Sequence, residues 1–191
     1  MSAVVREILE ALALAIVVFI LIQASAQNFR VEGSSMAPTL EGQQYLLVNK
    51  LAYFNFDVER FSRIIPFWKV DKSSESRPFR SPRFGEIIVF RFPGEPKRDF
   101  VKRVIGLPGD RIEIVDGRVA INGAVYSEPY VNGPFSTNMA SITMKEGEYF
   151  VMGDNRAHSN DSRSWGPVPE KNVVGKVWLV YWPFSEVGVP R

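Results

Sequence analysis

Cysteine is absent from this 191-residue chain, and histidine occurs only once. Without thiols the chain forms neither disulfide bonds nor thiolate metal sites, and one imidazole is too few for the usual zinc ligand sets. The chain also lacks a large excess of positive or negative charge, since it contains 23 Lys and Arg and 21 Asp and Glu. We therefore expect no metal, no cofactor and no nucleic-acid partner. Any chemistry must use hydroxyls, carboxylates, amines or amides.

The N-terminal part of the chain contains a long uncharged run. It reads ALALAIVVFILIQASA from Ala11 onward. At about 1.5 Å per residue, a helix of this length can cross a hydrocarbon layer about 30 Å thick. We expect a membrane anchor over residues 1–28, with a transmembrane helix at about 8–26.

A cleavable signal peptide is the alternative for the same segment. Arg6 supplies a charged start, and Ala24-Ser25-Ala26 has the small-x-small form of a cleavage site. The apolar run is long for a signal peptide, which favours the anchor. In both cases the rest of the chain is exported or lies at a membrane.

Residues 29–191 have the composition of a β-domain. Short segments rich in β-branched and aromatic residues, such as GEIIVFRF, DFVKRVIG and VVGKVWLVYW, are bounded by Gly, Pro, Asn or Asp. The pairs Asp116-Gly117 and Asn122-Gly123 are typical of hairpin turns and indicate a β-ribbon inserted at about 108–148. The predicted fold class is all-β: an antiparallel β-barrel or sandwich core with this insert, behind one N-terminal transmembrane helix.

The segment from Phe54 to Pro82 combines aromatic and basic residues without a sustained period of either kind. Such a mixture suits the headgroup zone of a bilayer. It equally suits a loop whose rings cover the core. The sequence leaves both interpretations open.

Two adjacent serines, Ser34 and Ser35, lie in the stretch VEGSSMAPTL. A serine nucleophile needs a group that takes its proton, and a Ser-His-acid triad would have to use His158. That histidine lies in the turn-rich stretch DNRAHSNDSR, where a lone imidazole is most often an exposed loop residue. A neutral lysine can activate a serine instead.

The strand DFVKRVIG offers two cations for this role. Strand alternation places Lys102 on one face and Arg103 on the other, each among apolar residues, so alternation cannot choose between them. A guanidinium does not lose its proton in proteins, whereas a buried ammonium can. Lowering the pKa of a lysine from about 10.4 to about 7–8 lies within what burial achieves. Lys102 is thus the candidate base if it is desolvated, and a solvent-exposed Lys102 at a sheet edge is the alternative.

Three separated motifs now point to one family. GSSMAPTL, FVKRVIGLPGD and GDNRAHSNDSRSWGPV follow each other behind an N-terminal apolar segment. In type, order and context they resemble the bacterial type I signal peptidases, the Ser-Lys leader peptidases of family S26. The resemblance extends from the anchor to Trp182. It implies a membrane-anchored serine endopeptidase that removes signal peptides after Ala-x-Ala sites.

The resemblance also assigns roles to residues. It implies that Ser35, rather than Ser34, is the nucleophile and that Lys102 is the general base. Ser159 corresponds to a serine that orients the lysine, while Asp161 and Arg163 correspond to an ion pair that braces the site.

The substrate and its surroundings follow from the same resemblance. It implies preproteins with signal peptides as substrates, the lipid bilayer as a partner, and a single-pass protein of the cell membrane with its catalytic domain on the exported side. Small apolar pockets would receive the residues one and three before the cut. The matching wall positions are Val31, Met36, Leu40, Phe100 and Val101.

Two positions depart from a common form of the family pattern. Gly33 stands where one branch has a serine that donates to the oxyanion, so the oxyanion hole is expected to rest on the Ser35 backbone N–H and one further donor. Ala157-His158 replaces a common Asp-Asn pair, so no supporting role is carried over to those side chains.

Two other functions remain open on the sequence alone. A LexA-like Ser-Lys self-cleaving regulator shares related chemistry, but it would need a DNA-binding domain where this chain has an apolar helix. A noncatalytic membrane-tethered β-domain that binds extended peptides would need neither Ser35 nor Lys102.

Overall fold

The computed structural model describes residues 3–53, 80–131 and 133–190. Two α-helices are present in these ranges, α1 over Ala3–Ser25 and α2 over Ser162–Trp165. The strands in chain order are β1 Ala26–Arg30, β2 Tyr45–Asn49, β3 Ile87–Arg91, β4 Asp99–Gly106, β5 Arg111–Val115, β6 Arg118–Ile121, β7 Ala124–Val125, β8 Met139–Thr143, β9 Glu148–Met152, β10 Val168–Pro169 and β11 Val173–Trp182.

The strands form two antiparallel sheets. Seven strands pair in the order β1-β2-β11-β3-β4-β9-β10, and four pair in the order β7-β6-β5-β8. One buried cluster joins the two sheets, because Ile105 and Phe150 of the larger sheet pack with Ile112 and Val119 of the smaller. The mostly β, antiparallel fold predicted from the sequence is confirmed.

Both predicted hairpin turns are present. Asp116 and Gly117 connect β5 to β6, and Asn122 and Gly123 connect β6 to β7. All four residues have positive φ, between 48° and 83°. Positive φ at both central positions is the requirement of a two-residue type I′ turn, which explains the Asp-Gly and Asn-Gly choice.

The N-terminal helix α1 leads directly into β1. Ala26 begins that strand and pairs with Asn49 of β2, and the Lys50 N–H donates to the Ser25 carbonyl at 2.9 Å. Among the described residues, no helix combines the length and the hydropathy that crossing a membrane requires. The predicted transmembrane helix is therefore not confirmed. Residues 54–79 of the aromatic and basic segment lie outside the described residues.

The central strand β4 carries side chains into different parts of the core. Phe100 and Val104 pack in one buried cluster with Phe90, while Val101 packs in another with Val89. This is the alternation expected of a strand. It sends Lys102 and Arg103, which lie between them, to opposite faces of the sheet.

Candidate active site

The side chains of Ser35 and Lys102 meet in the folded chain. Lys102 Nζ lies 2.7 Å from Ser35 Oγ, although 67 residues separate them in the sequence. Nζ also donates to the Val101 carbonyl at 2.9 Å and lies 5.3 Å from the centroid of the Phe100 ring. The amine is thus held in one orientation, with one hydrogen bond directed at the serine hydroxyl.

Burial gives Lys102 unusual acid-base properties. The residue is only 4% exposed. Desolvation lowers the pKa of Lys102 from 10.5 to about 8, while the carboxylates of Asp161 and Asp154 act in the opposite direction. In the described part of the chain, no carboxylate lies within ion-pair distance of Nζ. A buried ammonium without a paired carboxylate loses its proton more easily than a solvated one.

The backbone of Ser34 and Ser35 is held by the loop that follows β9. The Asn155 N–H donates to the Ser35 carbonyl at 3.0 Å, and Asn155 Nδ2 donates to the Ser34 carbonyl at 3.1 Å. Gly153 lies so close that a Cβ on it would be 2.3 Å from the Ser35 carbonyl oxygen. The loop therefore fixes the Ser34-Ser35 peptide through contacts that only a glycine at 153 permits.

Asp161 and Arg163 form the ion pair that the sequence predicts. Arg163 Nε lies 2.7 Å from Asp161 Oδ1, and Nη2 lies 2.8 Å from Oδ2. The buried Asp161 carboxylate also accepts the Gly153 N–H at 3.0 Å. The pair thus ties α2 to the same loop that holds the nucleophile.

A second buried ion pair lies on the other face of β4. Arg103 Nε and Nη2 donate to the two carboxylate oxygens of Asp154 at 2.8 and 2.6 Å, and Nη1 donates to the Gly85 carbonyl at 2.8 Å. Thr39 donates its hydroxyl to the same carboxylate at 2.5 Å. Since Thr39 follows Ser35 by four residues, this cluster joins the serine-bearing segment to β4.

A cleft of about 590 Å³ opens beside the Ser35-Lys102 pair. Its lining comes from residues 29–35, which lead from β1 into the turn that carries Ser35, from residues 98–102, which lead into β4, and from Leu46, Val89, His158 and Asn160. Ser35 therefore lines an open groove between the end of β1 and the start of β4.

Comparison with known proteins places the chain in a family. Residues 4–182 match the family described as "Signal peptidase, peptidase S26". The chain belongs to this S26 family of signal peptidases. The resemblance to type I signal peptidases is thereby confirmed.

Two bacterial relatives agree with this placement. The chain is 31% identical to a signal peptidase I of Pseudomonas aeruginosa, over 91% of this chain and 74% of that one. It is 37% identical to a signal peptidase I of Bacillus caldolyticus, over 83% of this chain and 81% of that one. A crystal structure of a signal peptidase I from Enterococcus faecalis is 34% identical, covers 51% of this chain and 97% of that one, and has a TM-score of 0.47.

The structure places only part of the predicted substrate wall in this S26 cleft. Val31, Phe100 and Val101 line it. Met36 and Leu40 do not, since they are 1% and 0% exposed and pack in the core cluster that also contains Val31. An apolar residue next to a nucleophile can face either the core or the groove, and the motif cannot distinguish the two.

Ser159 is close to the site but is not hydrogen-bonded to the lysine. Its buried hydroxyl has no partner among the described residues. The hydroxyl points toward Gly153, where a Cβ would be 2.3 Å away. The role of Ser159 in orienting Lys102 stays a prediction.

Gly33 and His158 are the two remaining positions that the sequence singles out. Gly33 has a φ of +80°, a left-handed conformation that glycine adopts without strain. His158 is exposed and lies 3.1 Å from Asn155 Oδ1 through Nδ1, whereas the hydroxyl of Ser35 is paired with Lys102.

The resemblance matches Asp154 and Asn155 to a structural turn, but sequence reasoning did not predict the contacts that they and Gly153 make. Gly153 and Asn155 support the backbone of Ser35, and Asp154 holds Arg103. The stretch GDNR gave no local signal for these contacts beyond the presence of turn-forming residues. Their partners lie 51 to 120 residues away in the chain, so only the fold reveals them.

Proposed function

We propose that this protein is a Ser-Lys endopeptidase that removes signal peptides from exported preproteins by cleavage after Ala-x-Ala sites. The observation that supports the proposal most strongly is the 2.7 Å contact between Ser35 Oγ and the buried Lys102 Nζ. Family membership and the names of the relatives support the choice of substrate class.

The lowered pKa of Lys102, about 8, makes the lysine a competent base. At pH 7 about one molecule in ten then carries a neutral amine, compared with one in a few thousand for a solvated lysine. In that state the Ser35 hydroxyl donates its hydrogen to the lone pair of Nζ. A base whose pKa lies near the working pH is the most effective.

Catalysis then proceeds in two steps. Ser35 Oγ attacks the scissile carbonyl while Lys102 takes its proton, and the lysine passes that proton to the departing amine. The acyl group remains on Ser35. A water that gives a proton to the neutral Lys102 attacks the ester, and the lysine returns the proton to Ser35 Oγ as the signal peptide leaves.

The developing oxyanion needs hydrogen-bond donors. The Ser35 N–H belongs to the nucleophile itself and is the first proposed donor. A backbone N–H near Gly33 is the second proposed donor. Because Gly33 has no hydroxyl, the hole depends on backbone groups that the loop after β9 holds in place. Removing one donor from such a hole in other enzymes costs about 3–4 kcal/mol in the activation barrier.

The walls of the cleft fit an extended peptide. Val31, Phe100 and Val101 are among its apolar lining residues and are proposed to receive the small side chains before the cut. An apolar pocket discriminates one methylene by only about 1–3 kcal/mol. We therefore expect a graded preference for alanine rather than strict exclusion of larger residues.

A membrane location is the last part of the proposal. Helix α1 has large apolar side chains that are 43–65% exposed, such as Val5, Leu14 and Phe19, and it is uncharged from Ala11 to its end. An exposed apolar helix of this kind suits attachment to a lipid bilayer. We propose that residues 1–28 are a single-pass anchor of the cell membrane and that the β-domain over 29–191 lies on the exported side. Carbonate extraction and protease protection of the full chain would test both statements.

Paired serine variants test the catalytic proposal. Ser35→Ala should abolish cleavage of a purified preprotein, and Ser34→Ala should leave most of it, with circular dichroism confirming the fold of both. Substantial cleavage by Ser35→Ala would show that Ser35 is not the nucleophile. Equal loss in both variants would show that the wrong hydroxyl was chosen.

A noncatalytic peptide-binding domain is the competing function. It predicts that wild-type protein binds an Ala-x-Ala peptide without cleaving it and that a serine-directed acylating reagent leaves Ser35 unmodified. Stoichiometric acylation of Ser35, absent from Lys102→Met, would exclude it.

A further inference from the structure

The mechanism proposed above leaves His158 without a task, although its side chain lies on the wall of the catalytic cleft. It lines the cleft together with Asn160, on the loop that follows β9. The residue between them, Ser159, has an extended backbone with φ −121° and ψ 124°. Extended geometry turns alternate side chains to opposite sides. Ser159 lines a separate cavity together with Ala157, while His158 and Asn160 on either side of it line the cleft.

The imidazole of His158 has a fixed position relative to Ser35. Its Nδ1 lies 3.1 Å from Asn155 Oδ1, and an amide oxygen only accepts, so Nδ1 carries a hydrogen. Asn155 in turn binds the carbonyls of Ser34 and Ser35. One residue thus links the histidine to the nucleophile's backbone, and Nε2 is the ring nitrogen left for another partner.

The location of this loop indicates which part of a substrate it meets. The residues before the cut are assigned to the apolar wall of Val31, Phe100 and Val101, so the chain after the cut has to leave past another part of the rim. His158 and Asn160 form a polar rim, and a polar rim suits the mature part of an exported protein, which is exposed to water after cleavage.

The charged and titratable residues around the cleft indicate which substrate side chains each wall would favour. Arg30 and Glu32 lie on the segment before the nucleophile, and Arg98, Asp99 and Lys102 lie on or next to β4. On the third wall, the rim formed by the loop after β9, His158 is the one titratable side chain that lines the cleft in the described residues. When the ring is protonated, its Nε2 offers a positive N–H that attracts a carboxylate or an amide oxygen and repels a lysine.

We propose that His158 contacts the substrate on the leaving-group side of the scissile bond and favours an acidic or amide side chain there over a lysine. This inference rests on the proposed function, because it assumes a peptide cut at Ser35. It adds a specificity-determining residue that takes no part in proton transfer to or from Ser35.

A charge-exchange experiment on the full chain in detergent tests the proposal. Substrates with a constant Ala-x-Ala site carry Glu, Gln or Lys at each of the first three positions after the cut. For each, kcat/KM is measured with wild type, His158→Gln and His158→Glu at pH 6.5. Arg118→Glu, an exposed change at the start of β6 and outside the residues that line the cleft, controls for added negative charge.

We expect wild type to favour Glu over Lys about threefold at one leaving-side position, the size of an exposed charge pair. His158→Gln should lose this preference and His158→Glu should reverse it, a total change of about tenfold. Substrate substitutions one and three residues before the cut should change kcat/KM by the same factor in all enzyme variants. Arg118→Glu should match wild type for every substrate.

Other outcomes would overturn the proposal. An unchanged Glu-to-Lys ratio in both histidine variants would show that His158 does not touch this part of the substrate. A change at the residues before the cut would place His158 on the acyl side instead. Loss of cleavage in wild type and in every variant would be a failure of the proposed function, and it would be recognised because Ser35→Ala would then differ from none of them.

Discussion

Lys102 and Arg103 are neighbours on β4 and are both almost fully buried, at 4% and 3% exposure, yet the fold treats their charges in opposite ways. Arg103 meets a carboxylate, Asp154, in a two-pronged hydrogen-bonded pair. Lys102 meets a hydroxyl, a carbonyl and an aromatic ring. One face of the strand stabilises a positive charge, and the other face disfavours it.

The difference shows that a buried cation can either stabilise the fold or take part in proton transfer. A buried cation that is paired with a carboxylate stays charged and fixes the chain around it. A buried cation without such a partner has a lowered pKa and can exchange protons near neutral pH. Arginine suits the first task because it does not lose its proton, and lysine suits the second.

The largest expected effect comes from removing the amine on the reactive face. Lys102→Met should lower kcat/KM by at least about 10³-fold, the scale of general-base catalysis together with nucleophile activation. Lys102→Arg should be equally inactive, because a guanidinium cannot accept the proton. Initial rates on a preprotein measure both, and an active arginine variant would contradict the role of a neutral amine.

Stability should respond in the opposite pattern. Asp154→Asn leaves the guanidinium of Arg103 buried without its carboxylate and should lower the free energy of unfolding by about 3–5 kcal/mol. Lys102→Met removes a buried amine that has no carboxylate partner, so it should leave the free energy of unfolding unchanged or raise it. Urea unfolding would show this, with Asp116→Asn in the exposed β5–β6 turn as the matched control, expected within about 0.5 kcal/mol of wild type. Equal losses in the Asp154 and Lys102 variants would remove the distinction between the two faces.

The smallest effect concerns the loop between these faces. Gly153→Ala places a methyl group against the Ser35 carbonyl and should shift the nucleophile, lowering kcat about tenfold to a hundredfold. Gly188→Ala is the control, since its Cβ would meet only the Glu186 carbonyl, at 4.0 Å. A fully active Gly153→Ala would show that the loop adapts and does not position Ser35.

The strands and the proximity of Ser35 to Lys102 could be predicted from the sequence, for different reasons. Alternation, β-branched residues and the Asp116-Gly117 turn are local signals, and they yield elements that the structure contains. Strand alternation could not separate Lys102 from Arg103, but protonation chemistry favoured Lys102, and the family resemblance selected Ser35 over Ser34.

The rest depends on contacts that no local pattern encodes. The Arg103-Asp154 pair and the approach of Gly153 to Ser35 join segments 51 and 118 residues apart. Met36 and Leu40 have the same apolar character as Val31, and only the packing decides that they face the core. Their assignment to the cleft wall was an extension of the motif that the fold does not support.

The pH dependence of kcat/KM tests the central claim, that Lys102 acts as a neutral base, most directly. Protonated Lys102 is inactive, so the rate should rise about tenfold per pH unit below a pKa of about 8 and level off above it. The profile should be measured from pH 5.5 to 10 with wild type and His158→Gln, and both should show the same inflection. An inflection near 6.5 that disappears in His158→Gln, or a rate still rising at pH 10, would contradict the account.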